Sequence, residues 1–435
     1  MRRAATTIAL AAIVFGLTPG QPAQAQEPEP TKTLTLEDAL AIARKRNRNL
    51  AVERARLVQA QTNIEQGWAA LFPTVAAQGK YTHNYKEVKL NFGEAPLVLQ
   101  PSEQLDGIIS FTAPVVAPAA YPALEALKAG ERASQASFAV SETSLLVSVA
   151  QTHYAAALAD EVVAARRSNI QVARATLSNA QTRFEAGTVT KVDMHRAELA
   201  LVRAEQLERE AVNGRARTYR ALATLIQEPA PFKVQVKPIA PERHDERELD
   251  TALHLRPELR FLEANIQSVE AQARAQGWRW APTLSAFGNA RRFNYDNFAR
   301  DRYSWALGAQ IDWVLFDGGL RDAQRHLAAA QVSENRARAE VLRDTIKDEL
   351  ADGNGQLETK LRGVEAAERS VTLARETLEL VRVQYEAGNV TQVDLLQAQD
   401  ALVASQETLA QAHYDAAAAD LNLRRAAGTF PPPAR

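Results

Sequence analysis

FEAGTVTKVD runs from Phe184 to Asp193, and YEAGNVTQVD runs from Tyr385 to Asp394. The two decapeptides share seven of ten residues and start 201 positions apart in a chain of 435. Extended over 183–205 and 384–406, the match holds eleven identities in 23 positions. Gly67-Trp68 ahead of Pro73-Thr74-Val75 recurs as Gly277-Trp278 ahead of Pro282-Thr283-Leu284, close to the same offset. This reads as duplication of a unit of about 200 residues, far longer than a solenoid repeat.

Inside each decapeptide, Gly187 and Gly388 suit the left-handed residue that ends a helix. Thr190 and Thr391 suit the N-cap of a following helix, with Asp193 and Asp394 in its first turn. Each copy is therefore expected to be the tip of a helical hairpin, with both tips at the same end. Turn chemistry accounts for glycine and threonine. The matching pairs Glu185/Glu386, Val189/Val390 and Val192/Val393 leave a shared contact surface open beside it.

Working outward, each half reads helix, strand, strand, long helix, helix. The first repeat, 26–228, is expected to hold a helix at 36–71, strands at 74–85 and 104–115, and helices at 122–186 and 191–227. The second, 247–428, repeats the plan with a helix at 247–280, strands at 283–295 and 303–314, and helices at 319–387 and 392–427. A Pro-rich linker, 229–246, separates them, and 429–435 forms a tail. Thr35 followed by Asp38 is a capping-box variant at the first helix start. At 1.5 Å per residue the long helices reach about 100 Å, more than a compact domain needs. Leu357, Leu361, Val364, Ala367, Val371, Ala374, Leu378, Val381 and Tyr385 alternate by three and four, which predicts a coiled-coil seam. Gly353-Asn354-Gly355 is expected to bend or break that rod.

The strand segments alternate with period two. Tyr303, Trp305, Leu307, Ala309, Ile311 and Trp313 lie opposite Ser304, Ala306, Gly308, Gln310 and Asp312, about the length of a membrane-spanning barrel strand. Leu105, Gly107, Ile109, Phe111, Ala113 and Val115 repeat the pattern, as do Val75, Ala77, Gly79 and Tyr81. The segment from Thr283 to Tyr295 alternates least cleanly and carries Arg291-Arg292. Trp68, Trp278, Trp280 and Trp313 fall where helix meets strand, and Trp305 lies with Tyr81, Tyr303 and Tyr295 toward the other end. Two aromatic girdles at membrane interfaces would be placed this way. Four strands cannot close a barrel, and open edges do not persist in hydrocarbon, so several copies would have to share one barrel.

Composition removes other classes. A net charge of −1 with 24% charged residues gives no footprint for nucleic acid. There are no cysteines, hence no disulfide, thiolate metal site or lipidated N-terminal cysteine. Arg2-Arg3, the apolar run Ala4 to Leu17 and Ala23-Gln24-Ala25 read as a cleaved secretory signal over 1–25. The seven histidines are scattered without metal-ligand spacing, and no phosphate loop, nucleophile elbow or dinucleotide fingerprint is present. No catalytic, metal or cofactor site is expected.

The order of these features resembles the TolC-type outer membrane efflux proteins over about residues 34–428. The carrying residues are the two Tyr/Phe-x-x-Gly-x-x-x-x-x-Asp tips, Trp313-Val314-Leu315-Phe316-Asp317-Gly318-Gly319, and Leu255-Arg256-Pro257-Glu258-Leu259. The resemblance implies a mixed α and β membrane protein: a homotrimer with a 12-stranded transmembrane β-barrel continued by an α-helical coiled-coil tunnel across the periplasm. It implies a passive exit duct in the outer membrane of a Gram-negative bacterium, not lipidated. Its partners would be outer membrane lipid, a periplasmic adaptor (membrane fusion) protein, and an inner-membrane pump or type I secretion transporter. Gly187, Thr188, Val189, Gly388, Asn389 and Val390 match the tips that meet the adaptor. Asp193, Tyr385 and Asp394 match positions near the tunnel mouth. Val390 stands where some members carry a basic residue, and Gln397 where some carry a second acid.

Three copies would bring six such aspartates to one opening, where a ring of carboxylates favours cations and mutual repulsion holds part of it protonated. Stabilisation of the helix N-terminus is the plainer role for each aspartate. Two other classes share some of these features. A soluble periplasmic coiled-coil adaptor or scaffold would not expose the apolar face of Tyr303 to Trp313. A cell-surface receptor or structural protein would work through loops 86–103 and 296–302 and need no particular tip chemistry.

Overall fold

The computed structural model describes residues 32–92, 95–229, 231–236, 249–296 and 301–431. The expected leader, residues 237–246 of the expected linker, and the last four residues lie outside them.

Two very long helices dominate: α3 (Ala120–Glu185) and α7 (Leu320–Glu386), of 66 and 67 residues. Each turns back through a short tip into a partner, α4 (Lys191–Ile226) and α8 (Gln392–Ala426), and packs along it. The seam expected on α7 is the face it buries, since every residue from Leu357 to Tyr385 in that series is buried or half-buried. Contrary to expectation, α7 runs unbroken through Gly353-Asn354-Gly355. At Gly353 a Cβ would stand 3.0 Å from a Leu423 methyl of α8, so this glycine permits close helix approach.

The opening helices are each split in two. The first gives α1 (Leu36–Arg46) and α2 (Arg48–Ala69), with Asn47 between them in extended conformation. Buried Asn47 donates to Leu225 O (2.8 Å) and accepts from the Asn49 and Leu50 amides, capping the second piece. The second gives α5 (Leu249–Leu255) and α6 (Pro257–Trp278). Proline bars the residue before it from helical geometry, and Arg256 takes ψ 120°.

A four-stranded antiparallel sheet, in the order β2 (Thr74–His83), β5 (Glu103–Val116), β7 (Thr283–Phe293), β8 (Tyr303–Asp312), caps the end away from the tips. The segment with the poorest alternation is thus an interior strand, paired on both sides. Register aligns the rows Trp305–Ala290–Ile109–Ala77 and Leu307–Gly288–Phe111–Val75 on one face. The other face carries Ser304–Arg291–Ile108–Gln78 and Ala306–Asn289–Ser110–Ala76. Arg292 shares the apolar face at the end farthest from the helices, in a row with Tyr303. β2 and β8 are the sheet's two edges.

Two small strand pairings were not legible as such. β3 (Val88–Phe92) and β4 (Ala95–Gln100) form a hairpin inside the expected loop 86–103. β1 (Thr33–Leu34) pairs in parallel with β6 (Lys233–Val234). That pair lies on a belt of packing partway along the rods, where Leu34, Leu40, Leu146, Leu222, Ile226, Phe232 and Leu421 meet. Across the same zone, Ala252, Ile346, Leu350, Leu357 and Leu423 form a second cluster.

Candidate docking site at the paired helical tips

Both tips close the way their glycines foretold. At the first, Gly187 takes φ +74°, and the Thr188 amide and hydroxyl both donate to Arg183 O, at 2.9 and 3.0 Å. At the second, Gly388 takes φ +80° and the Asn389 amide donates to Gln384 O at 2.9 Å. Two residues on, each return helix starts with a full capping box. Thr190 Oγ1 accepts from the Asp193 amide while Asp193 Oδ2 accepts from the Thr190 amide and hydroxyl. Thr391 and Asp394 repeat the arrangement.

These hydrogen bonds settle the local chemistry of the two acids. The Thr190 hydroxyl, with the Thr190 amide and Arg196 behind it, draws the Asp193 carboxyl below its ordinary range. The Thr391 hydroxyl and amide do the same for Asp394. Within a protomer these bonds favour the ionised form of both acids. Their first duty is to complete the capping boxes.

Around those caps the tips are unlike. Tyr385 is 8% exposed, packed with Leu378, Leu395 and Ala398 and flanked by Val390, whereas Phe184 in the matching position is 39% exposed. Gly187, Thr188, Gly388 and Asn389 are exposed, with Val189 and Val390 half-buried behind them. The hairpins are joined lower down by Gln399, whose amide donates to Thr176 Oγ1 (2.8 Å), and by the ion pair of Arg166 with Glu407. So the structure brings Gly187–Val189 and Gly388–Val390 to one end of the molecule as a surface of small residues.

At the opposite end of the rods, the tryptophans gather at the helix–sheet junction. Trp68 lies in the last turn of α2 with Lys128 over its ring, Trp278 ends α6 and Trp280 follows it. The Trp313 indole donates to Trp280 O at 3.2 Å. Trp305 lies out on β8 and is 68% exposed. Sequence reasoning missed the cation that organises this junction. Arg321, buried at the start of α7, stacks 4.1 Å over Trp280 and donates to Asp317 Oδ2 at 2.8 Å. Asp317 leads into a turn in which Gly318 and Gly319 take φ +71° and +88°. The signal was the i, i+4 spacing of Asp317 and Arg321 across that turn.

Among the described residues no helix is long and apolar enough to cross a membrane, and no group of side chains could hold a metal. The first statement leaves the β-sheet untouched.

With this geometry in hand, comparison with known proteins places the chain. The sequence profile of the outer membrane efflux protein family matches residues 39–227 and 249–429. The chain is 24% identical over 276 residues to outer membrane efflux protein BepC of Brucella suis, covering 62% of this chain and 59% of that protein. It is 25% identical over 298 residues to the alkaline protease secretion protein AprF of Pseudomonas aeruginosa, covering 66% and 62%. Both alignments thus span about six-tenths of the relative's length. In three dimensions it is similar to the Campylobacter jejuni CmeC outer membrane channel, with a TM-score of 0.78 at 16% identity over 93% of this chain and 90% of that one. At that identity the likeness speaks for the fold alone. The chain belongs to the outer membrane efflux protein family and lies in the outer membrane, reaching into the periplasm.

Proposed function

We propose that the protein is a passive exit duct, built as a homotrimer from a duplicated unit. The observation that carries this reading is the sheet. One face presents Leu307, Ile311, Trp305, Val75 and Ile109, each more than half exposed, and both edges are unpaired within the protomer. Apolar surface of that extent favours lipid, and open edges are not tolerated there. β2 and β8 hold ten residues each, so the edge of one protomer matches the opposite edge of the next. Three sheets of four strands give 3 × 4 = 12, an even count within the range of bacterial barrels. The polar face then lines a lumen, and the paired rods continue it as a tube.

At the far end, six tips per trimer would dock a periplasmic adaptor that belongs to an inner-membrane pump or a type I secretion transporter. Energy comes from that transporter, and cargo choice lies with it; the duct supplies a wide polar passage. The residues expected at 1–25 would direct export.

The test is purification from the membrane fraction followed by native mass measurement in detergent. A detergent-requiring assembly of about three subunits is expected. A species soluble without detergent as a monomer or dimer would remove the barrel, and with it the duct.

A further inference from the structure

The tips differ in one residue that reaches across from one hairpin to the other. Arg183, in the last turn of α3, donates through one guanidinium nitrogen to Tyr385 O (3.1 Å) and through the other to Glu386 O (3.0 Å). Its guanidinium also lies 4.7 Å from the centre of the Tyr385 ring. The last carbonyls of a helix have no partner of their own and form the negative end of its dipole. At α7 one of them, Tyr385 O, is also met by the Gly388 amide (3.1 Å), and the following one, Glu386 O, receives Arg183. The second tip is therefore capped in part by the first hairpin. The reverse contact has no counterpart of the same chemistry, because the residue matching Arg183 is Gln384, which is exposed.

Arg183 is also where the first tip fastens itself. The Thr188 amide and hydroxyl both land on Arg183 O. A continuous chain of bonds thus runs from Thr188 through the Arg183 backbone and guanidinium to the carbonyls that precede Gly388 and Asn389. We propose that Arg183 is a positioning residue that couples the two tips into a single composite docking surface, so that a partner meets Gly187–Val189 and Gly388–Val390 as one rigid unit. The docking role rests on the duct reading above; the coupling does not.

The test is amide hydrogen exchange on the purified full-length assembly in detergent, with no partner present. Gly187→Ala loosens the first tip through its φ of +74° alone, because an added Cβ there would meet nothing within 4 Å. With Arg183 in place, this change should speed exchange at 184–190 and, by roughly tenfold, at 385–390. In an Arg183→Gln background, 385–390 should exchange fast already, and Gly187→Ala should add nothing there. Arg183→Lys should behave like Arg183→Gln, because an ammonium cannot make the paired bonds and the ring stack together. Arg382→Gln, which removes a cation paired with Glu386 on α7 itself, should leave the coupling intact. The proposal is overturned if Gly187→Ala leaves 385–390 unchanged when Arg183 is present, or still speeds it when Arg183 is gone. Because no adaptor enters the assay, failure here would leave the duct reading standing, and failure of the mass measurement would leave this one.

Discussion

Arg256 gives the sharpest quantitative test of how the second half is held together. Its side chain is 3% exposed and lies among three elements. It donates to Glu258 on α6 at 3.1 and 3.4 Å, to Glu349 on α7 at 2.8 Å, and to Ala426 O at the end of α8 at 3.4 Å. Arg256→Met keeps the apolar stem and removes the charge. Breaking a buried pair from one side costs about 3–5 kcal/mol. Here Glu349 keeps Arg425 at 3.0 Å, and the two carboxylates are 28% and 25% exposed. The loss should therefore fall lower, at about 2–3 kcal/mol, which is roughly a 30- to 150-fold rise in amide exchange. Exchange at 251–260 and 420–428 is the assay, with Glu349→Gln added to recover part of the loss. A change below about threefold, or strict additivity of the two substitutions, would refute the reasoning. The same site carries a pH signature. Burial alone would raise the Glu349 pKa, but hydrogen bonding to Arg256 and the charges of Arg256 and Arg425 bring it below the ordinary value. A depressed carboxyl stabilises fully above its unfolded pKa and loses that contribution as pH falls through the folded one, so acid sensitivity of this belt should shrink in Arg256→Met.

Four further outcomes are expected. Gly353→Val should cost about 1–3 kcal/mol by driving α7 from Leu423, while Gly355→Ala, which faces open space, should be neutral or stabilise by up to about 1 kcal/mol; chemical denaturation separates the two. Leu307→Arg on the apolar face should cost about 2–4 kcal/mol and reduce the assembled fraction in detergent extracts, whereas Gln310→Arg on the other face should not. Asp193→Asn combined with Asp394→Asn should lower cation preference in bilayer recordings. In the parent that preference should persist on acidification until pH passes below the usual carboxylate range, because both pKa values are depressed. His153 is buried against Leu34 O, and burial lowers its pKa. Its contribution should be complete above about pH 6.5 and fade as pH falls from there through its folded pKa, a slope that His153→Gln should remove from thermal melts.

Much of this was legible because it is periodic. The α7 seam from Leu357 to Tyr385, the alternation from Tyr303 to Ile311, and the Gly–Thr–Asp punctuation of the tips are local patterns with local causes. What escaped was decided by contact. The break at Asn47 rests on its bond to Leu225 O, 178 residues away. Gly353 reads as a helix breaker until Leu423 is seen against it. Arg183 carried no signal of its own, since a lone arginine near a helix end is ordinary, and only the neighbouring hairpin makes it a bridge.

The strand order has a consequence for how the chain comes to be folded. β2–β5 and β7–β8 can each zip from their own turns, but β5 pairs with β7 through partners such as Asp106 and Phe293, 293 − 106 = 187 positions apart. Closing so long a loop is entropically costly and slow, and it cannot begin until the second half exists. Until then each hairpin exposes both of its edges, with its apolar residues still in water. Each long helix and its return helix, near neighbours in sequence, are free to zip first, whereas docking one half on the other through α3 with α6 and α8 must also wait for the second half. Sheet completion should therefore be the last event in the life of the nascent protein, and the one most dependent on being kept from sticking to anything else.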